Sequence, residues 1–120
     1  MSYKHETITY LELPANDIEA VKSFFTQVFA WKFLDFGSDY AAYTGSGMEG
    51  GFYKSELSAK SEKGSVLPVF YSARLEETQA KIESAGGTVV KETYSFPGGR
   101  RFHFADPNGN EFGVWSEPAE

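Results

Sequence analysis

The chain has 120 residues, 41% hydrophobic and 23% charged, with a formal net charge of −6 and no cysteine. That suffices for one globular domain with a modest core. It excludes a disulfide framework, a thiol nucleophile and a thiolate metal site. The Arg100-Arg101 pair is no basic stripe, so neither nucleic acid nor an anionic membrane surface is an expected partner. No run approaches the roughly 20 apolar residues of a membrane span. The first ten residues lack the apolar stretch of a signal peptide, and the expected location is the cytoplasm. Aromatic residues make up 17%, with 11 Phe and 7 Tyr, enough to fill a core and to line a pocket.

Residues 1–6 are polar and expected to fray. Residues 7–13 alternate as a strand, with Leu11 and Leu13 on one face and Ile8, Tyr10 and Glu12 on the other; Pro14 should end it. Asn16 is the expected N-cap of a helix, with Glu19 three residues on. Ile18, Val21, Phe25, Val28 and Phe29 then recur at helical spacing. Strands are expected over 31–36, 40–44 and 48–54, the last interrupted by Gly50-Gly51. Adjacent glycines there point to a bulge or to a close approach by another group.

Residues 55–65 have low hydrophobicity and read as a mobile linker. A strand over 66–73 follows, then an amphipathic helix carrying Leu75, Gln79, Ile82 and Ala85, stopped by Gly86-Gly87. Residues 88–94 form a strand. Phe102 and Phe104 alternate with Arg101 and His103 in the next. Asp106-Pro107-Asn108-Gly109-Asn110 is dense turn chemistry, with Gly109 free to take positive φ. Phe112, Val114 and Trp115 resume as a strand. The order is βαβββ, linker, βαβββ: a repeated unit that cannot cover its sheet alone. The expected fold is α+β, one domain over 1–120 built of modules 7–54 and 66–116. Helices should cover one face of a curved mixed sheet, and the other face should line a shared concavity. Leu11, Leu13, Phe25, Phe29, Phe102 and Phe104 are the expected core.

Three stretches, ELPANDIEAVKSFFTQVFAWKF, KIESAGGTVV and FADPNGNEFGVW, resemble in content and spacing the vicinal oxygen chelate superfamily. That is the fold of glyoxalase I, bleomycin-resistance proteins and extradiol dioxygenases. The resemblance implies the fold but no single reaction, because the fold hosts enzymes and plain binding proteins. It also implies small-molecule ligands and a homodimer. Metal-dependent members place His, Gln or Glu on the first and last strands of each half. The matching positions here are Tyr10, Val69, Gly113 and Gly50 or Gly51, which make no divalent-metal site.

Only two histidines are present. His5 precedes the first strand. His103 has the parity to face the concavity with Arg101, and Glu12 and Glu111 have it too. A His with two carboxylates is a possible replacement metal site, or an acid–base pair. Tyr10, Phe52, Tyr71 and Trp115 are candidates for an aromatic wall. The leading expectation is a metal-free protein that binds or sequesters a small molecule, with no cofactor. Its candidate ligand-binding residues are Tyr10, Glu12, Phe52, Tyr71, Arg101, His103, Glu111 and Trp115. One alternative is a lactoylglutathione-lyase-like or dioxygenase-like enzyme with a divalent metal at a rearranged site. Another is an interaction module without a ligand.

Overall fold

Helical and strand spacing of the apolar residues produce two helices and eight strands, described here over residues 3–118 of a computed structural model. Part of the segment expected to fray, residues 1–2, lies outside the described residues. The first half holds β1 (Tyr10–Ala15), α1 (Ile18–Phe29), β2 (Lys32–Asp35), β3 (Tyr40–Thr44) and β4 (Glu49–Lys54). The second holds β5 (Val69–Tyr71), α2 (Leu75–Ser84), β6 (Thr88–Phe96), β7 (Gly99–Ala105) and β8 (Glu111–Ser116). Two four-stranded mixed sheets result, in the orders β1-β4-β3-β2 and β5-β8-β7-β6. The first and last strands of each half pair in parallel, so each half closes on itself. The fold is α+β. No helix among the described residues is long and apolar enough to cross a membrane.

One core joins the halves. Leu13, Phe25, Phe102 and Phe104 are buried as expected, and Leu11 and Phe29 are partly buried against them. Helix α1 does most of the joining. Phe25 stacks on Trp31 at 4.3 Å, while Phe24 reaches Phe104 at 5.9 Å and Phe29 stacks on Phe70 at 4.1 Å. One apolar helix face thus packs on both sheets.

Local corrections follow from simple causes. The N-cap of α1 is Asp17, whose Oδ1 accepts from Ala20 N at 3.1 Å, rather than Asn16. Asn16 is drawn elsewhere: its backbone N donates to Asn108 Oδ1 at 2.9 Å. Pro14 does not end β1, which runs on to Ala15. β1 is an edge strand paired only with β4, so a proline without an N–H is tolerated. Gly50-Gly51 does not interrupt β4. Both glycines stay in register with β1 and β3 because tyrosines lie across them: Tyr43 over Gly50 and Tyr40 over Gly51, where a Cβ would collide.

Residues 55–65 are tied down rather than loose. They carry a short 3-10 turn at Ser61–Lys63 and run beside the 106–111 turn. Ser58 Oγ donates to Asn108 O at 2.6 Å, Ala59 N to Asn110 Oδ1 at 2.8 Å, and Glu111 N to Ala59 O at 2.8 Å. Polar composition made the segment look free; buried polar partners hold it.

Candidate functional site

The 106–110 turn positions the site. Gly109 takes φ +86 as the turn requires. The buried Asp106 carboxylate accepts from Asn108 N (2.8 Å), Asn110 N (2.9 Å) and Asn110 Nδ2 (3.1 Å). Burial nonetheless pushes its pKa up to about 6, against these hydrogen bonds. Asn110 Nδ2 and Asn108 Nδ2 both donate to Pro14 O, at 2.8 and 3.0 Å. The turn therefore clamps the end of β1, the 55–65 segment and its own hairpin together.

On either side of the turn, β7 and β8 present one face away from the Phe102, Phe104 and Phe112 core. Register places Arg101 opposite Trp115, His103 opposite Gly113, and Val69 and Tyr71 opposite Gly113 and Trp115. His103 is only 6% exposed. Its Nδ1 lies 2.7 Å from Glu111 Oε2; its Nε2 lies 3.1 Å from the Tyr94 hydroxyl and 3.2 Å from Arg101 Nη2. Arginine can only donate, so Nε2 is an acceptor. An ionised carboxylate can only accept, so Nδ1 carries the hydrogen. The geometry thus calls for neutral imidazole, protonated on Nδ1. Glu111 Oε1 also accepts from Ser61 N at 2.9 Å and Ser61 Oγ at 2.8 Å. Burial raises the Glu111 pKa, but the bonds from His103 and Ser61 outweigh it, and the carboxyl sits below its ordinary value.

The eight residues expected to share one concavity separate into groups. Tyr71, Arg101, His103, Glu111 and Trp115 share the face just described. Tyr10 and Glu12 belong to the first sheet, where the Tyr10 and Tyr40 hydroxyls are 2.7 Å apart and Tyr40 donates to Glu12 Oε2 at 2.9 Å. Burial, then bonds to Tyr10 and Glu12, push the Tyr40 hydroxyl well above its usual range. Phe52 does not line a wall. It pairs with Leu13 and Ala41 and is buried in the core, because the unbroken register through the glycines turns it inward.

Sequence reasoning missed Tyr94, Ser61 and Tyr40. No local signal marks them, since each reaches its partner across strands or from another segment. Missed too was a cleft of about 600 Å³ between the β1 and β5 edges, lined by Leu11, Trp31, Tyr43, Met48, Val69 and Tyr71 among others. Of the eight expected residues, Tyr71 alone lines it.

The sequence model of the glyoxalase/bleomycin resistance protein/dioxygenase superfamily matches residues 7–114. The chain belongs to that superfamily. No curated protein matches it in sequence. Solved structures share the superfamily fold at low identity. A glyoxalase-related enzyme from Fulvimarina pelagi is 16% identical with a TM-score of 0.77, over 93% of this chain and 88% of that one. A lactoylglutathione lyase from Agrobacterium tumefaciens is 17% identical with a TM-score of 0.69, over 94% and 95%. A mutant fosfomycin resistance protein from Listeria monocytogenes, complexed with Mn(II) and dihydroxypropylphosphonic acid, is 16% identical with a TM-score of 0.78, over 98% and 94%.

A metal of the kind metal-dependent superfamily members hold does not fit the residues at the corresponding positions. Val69 and Gly113 are paired neighbours and offer no donor. Gly51 sits under Tyr40, and Gly113 under Arg101, whose Nη2 would lie 3.1 Å from a Cβ there. The spaces a ligating side chain would occupy are filled by neighbours. The replacement set is not assembled either: His103 and Glu111 pair in the second sheet, while Glu12 bonds to Tyr40 in the first. Among the described residues no three His, Asp or Glu side chains cluster as a metal would require.

Proposed function

We propose that this chain binds a small organic molecule without a metal, as a sequestering protein, at the Arg101–His103 face and the cleft beside it. The observation that carries this reading is the donor chemistry of the family's ligand positions. Tyr10, Val69, Gly113 and Gly50 or Gly51 supply no imidazole or carboxylate, and Tyr40 and Arg101 lie across two of the glycines. A cleft of about 600 Å³ is of the size that encloses small ligands. On the adjoining face His103, held by Glu111 and Tyr94, fixes the position of the Arg101 guanidinium.

Two measurements test this. Protein purified without a metal-affinity tag should carry no stoichiometric divalent ion by elemental analysis. A small-molecule panel should contain compounds that raise the melting temperature, since binding to the folded state stabilises it by about 2.7 kcal/mol at a hundredfold excess over Kd. A bound ion at one per chain would overturn the reading in favour of a metal-dependent enzyme. The working unit is proposed to be a homodimer. The first sheet leaves Tyr10, Leu34, Phe36 and Tyr53 exposed on one face, and apolar patches of this kind mark contact surfaces. Light scattering at twice the chain mass is the expected result.

A further inference from the structure

We propose that the ligand is a small amphipathic carboxylate, with its charge on Arg101 and its apolar body in the cleft along β5. This rests on the binding reading above and specifies the ligand's chemistry.

The guanidinium of Arg101 is a permanent cation with no anion. Among the described residues no ion pair reaches it. Its one polar side-chain contact is Nη2 with His103 Nε2 at 3.2 Å, and its Nε is buried with no partner. Arg100 also has an orphaned Nε, but its guanidinium pairs with Glu76 at 2.5 and 3.3 Å. Two carboxylates of β8 and its end are engaged elsewhere: Glu111 by His103 and Ser61, Glu117 by the Tyr71 hydroxyl at 2.7 Å. His103 does not neutralise Arg101, because an imidazole accepts its hydrogen bond without supplying negative charge. The charge is held in place by packing. The guanidinium carbon lies 5.8 Å from the Tyr94 ring centre and 6.0 Å from that of Phe96. A cation partly withdrawn from water and unpaired is costly; an incoming anion relieves that cost.

Gly113 connects this charge to the cleft. A Cβ there would lie 3.1 Å from Arg101 Nη2 and 3.4 Å from Val69 Cγ2. Arg101 and Val69 therefore border the same spot, and Val69 is itself a cleft wall. One molecule can place an anionic head at Nη2 and an apolar body against Val69 and Tyr71, which belong both to the Arg101 face and to the cleft wall. The planar guanidinium fork matches a carboxylate. The chain's net charge of −6 disfavours a polyanion and favours a monoanion.

The test is calorimetric titration with matched carboxylate and carboxamide pairs bearing phenyl, indolyl and alkyl bodies, with inorganic phosphate alongside. Carboxylates should bind more tightly than their amides, and Arg101→Met should weaken them about tenfold to a hundredfold and weaken the amides much less. Arg101→Lys should recover part of the loss. An unchanged melting temperature in each variant shows that the fold is intact; if Arg101→Met unfolds, the acid-against-amide comparison on the parent protein decides alone. Amides binding as tightly as acids, or phosphate as tightly as carboxylates, overturns the carboxylate assignment and leaves the binding reading standing. If no member of either series binds, both fall.

Discussion

At the scale of residues, His103 and Asp106 show how neighbours fix the state of a buried polar group. Glu111 accepts from His103 Nδ1 on one oxygen and from Ser61 on the other. In Glu111→Gln the amide would set an NH2 against one of these donors. If the imidazole moved its hydrogen to Nε2 in response, it would meet Arg101. One donor stays unsatisfied either way, so the variant should lose about 1–3 kcal/mol in urea unfolding. Long-range proton–nitrogen NMR correlations on the parent protein should show His103 protonated at Nδ1. An Nε2 signature would break the argument for Arg101 as its donor. For Asp106 the sign runs opposite to that of a salt-bridged carboxylate. Its folded pKa, about 6, lies above its ordinary value of 3.8, so between those limits the folded state holds more protons than the unfolded one. This group's contribution therefore declines as pH rises from about 4 to about 6, then stays level. Asp106→Asn should remove that slope from the stability–pH curve. A parent and variant with parallel curves over this window would show that another group titrates there.

At the scale of elements, α1 is the joint between the sheets. Phe25 is fully buried and meets Phe24, Phe29, Trp31, Phe52 and Phe112 within 6.1 Å. Phe25→Ala should cost about 3–5 kcal/mol, read as a fall in the denaturation midpoint. A loss below about 1 kcal/mol, the ordinary value for a point substitution, would mean that this face carries little of the core. The spacing of Ile18, Val21, Phe25, Val28 and Phe29 shows this face in the sequence. Helical periodicity is a local property. The role of Gly50-Gly51 is only half legible: adjacent glycines announce a close approach, but strand register decides that Tyr43 and Tyr40 make it.

For the whole molecule, the 106–110 turn is the clamp. Asn110 alone bonds to Pro14 O of β1, Ala59 N of the connecting segment and Asp106 Oδ2. Asn110→Ala leaves the Ala59 N–H without its partner and takes a donor from Asp106 Oδ2, while Pro14 O keeps Asn108 Nδ2; a buried unsatisfied group costs about 1–3 kcal/mol. The variant should also release residues 55–65 to a mild protease while the parent resists there. Mass-spectrometric mapping of the first cut checks it, and equal cutting in both proteins would show that the clamp does not hold the segment.

The sequence by itself determined the order of elements, the α+β class, the apolar face of α1, the inward Phe102 and Phe104, and the turn with its positive-φ Gly109. It also marked Arg101, His103 and Glu111 as companions, because they flank one hairpin and strand alternation carries over so short a span. Only the tertiary structure decided what lies beyond that span. Glu12 stays in the first sheet because β1 pairs with its own half, Phe52 turns into the core, and the cleft opens between two edges 54 or more residues apart in the chain. Ser61 finds Glu111 across 50 positions, and no period of 2 or 3.6 residues reports such a meeting. Register and strand order set it, and these are properties of the assembled sheets.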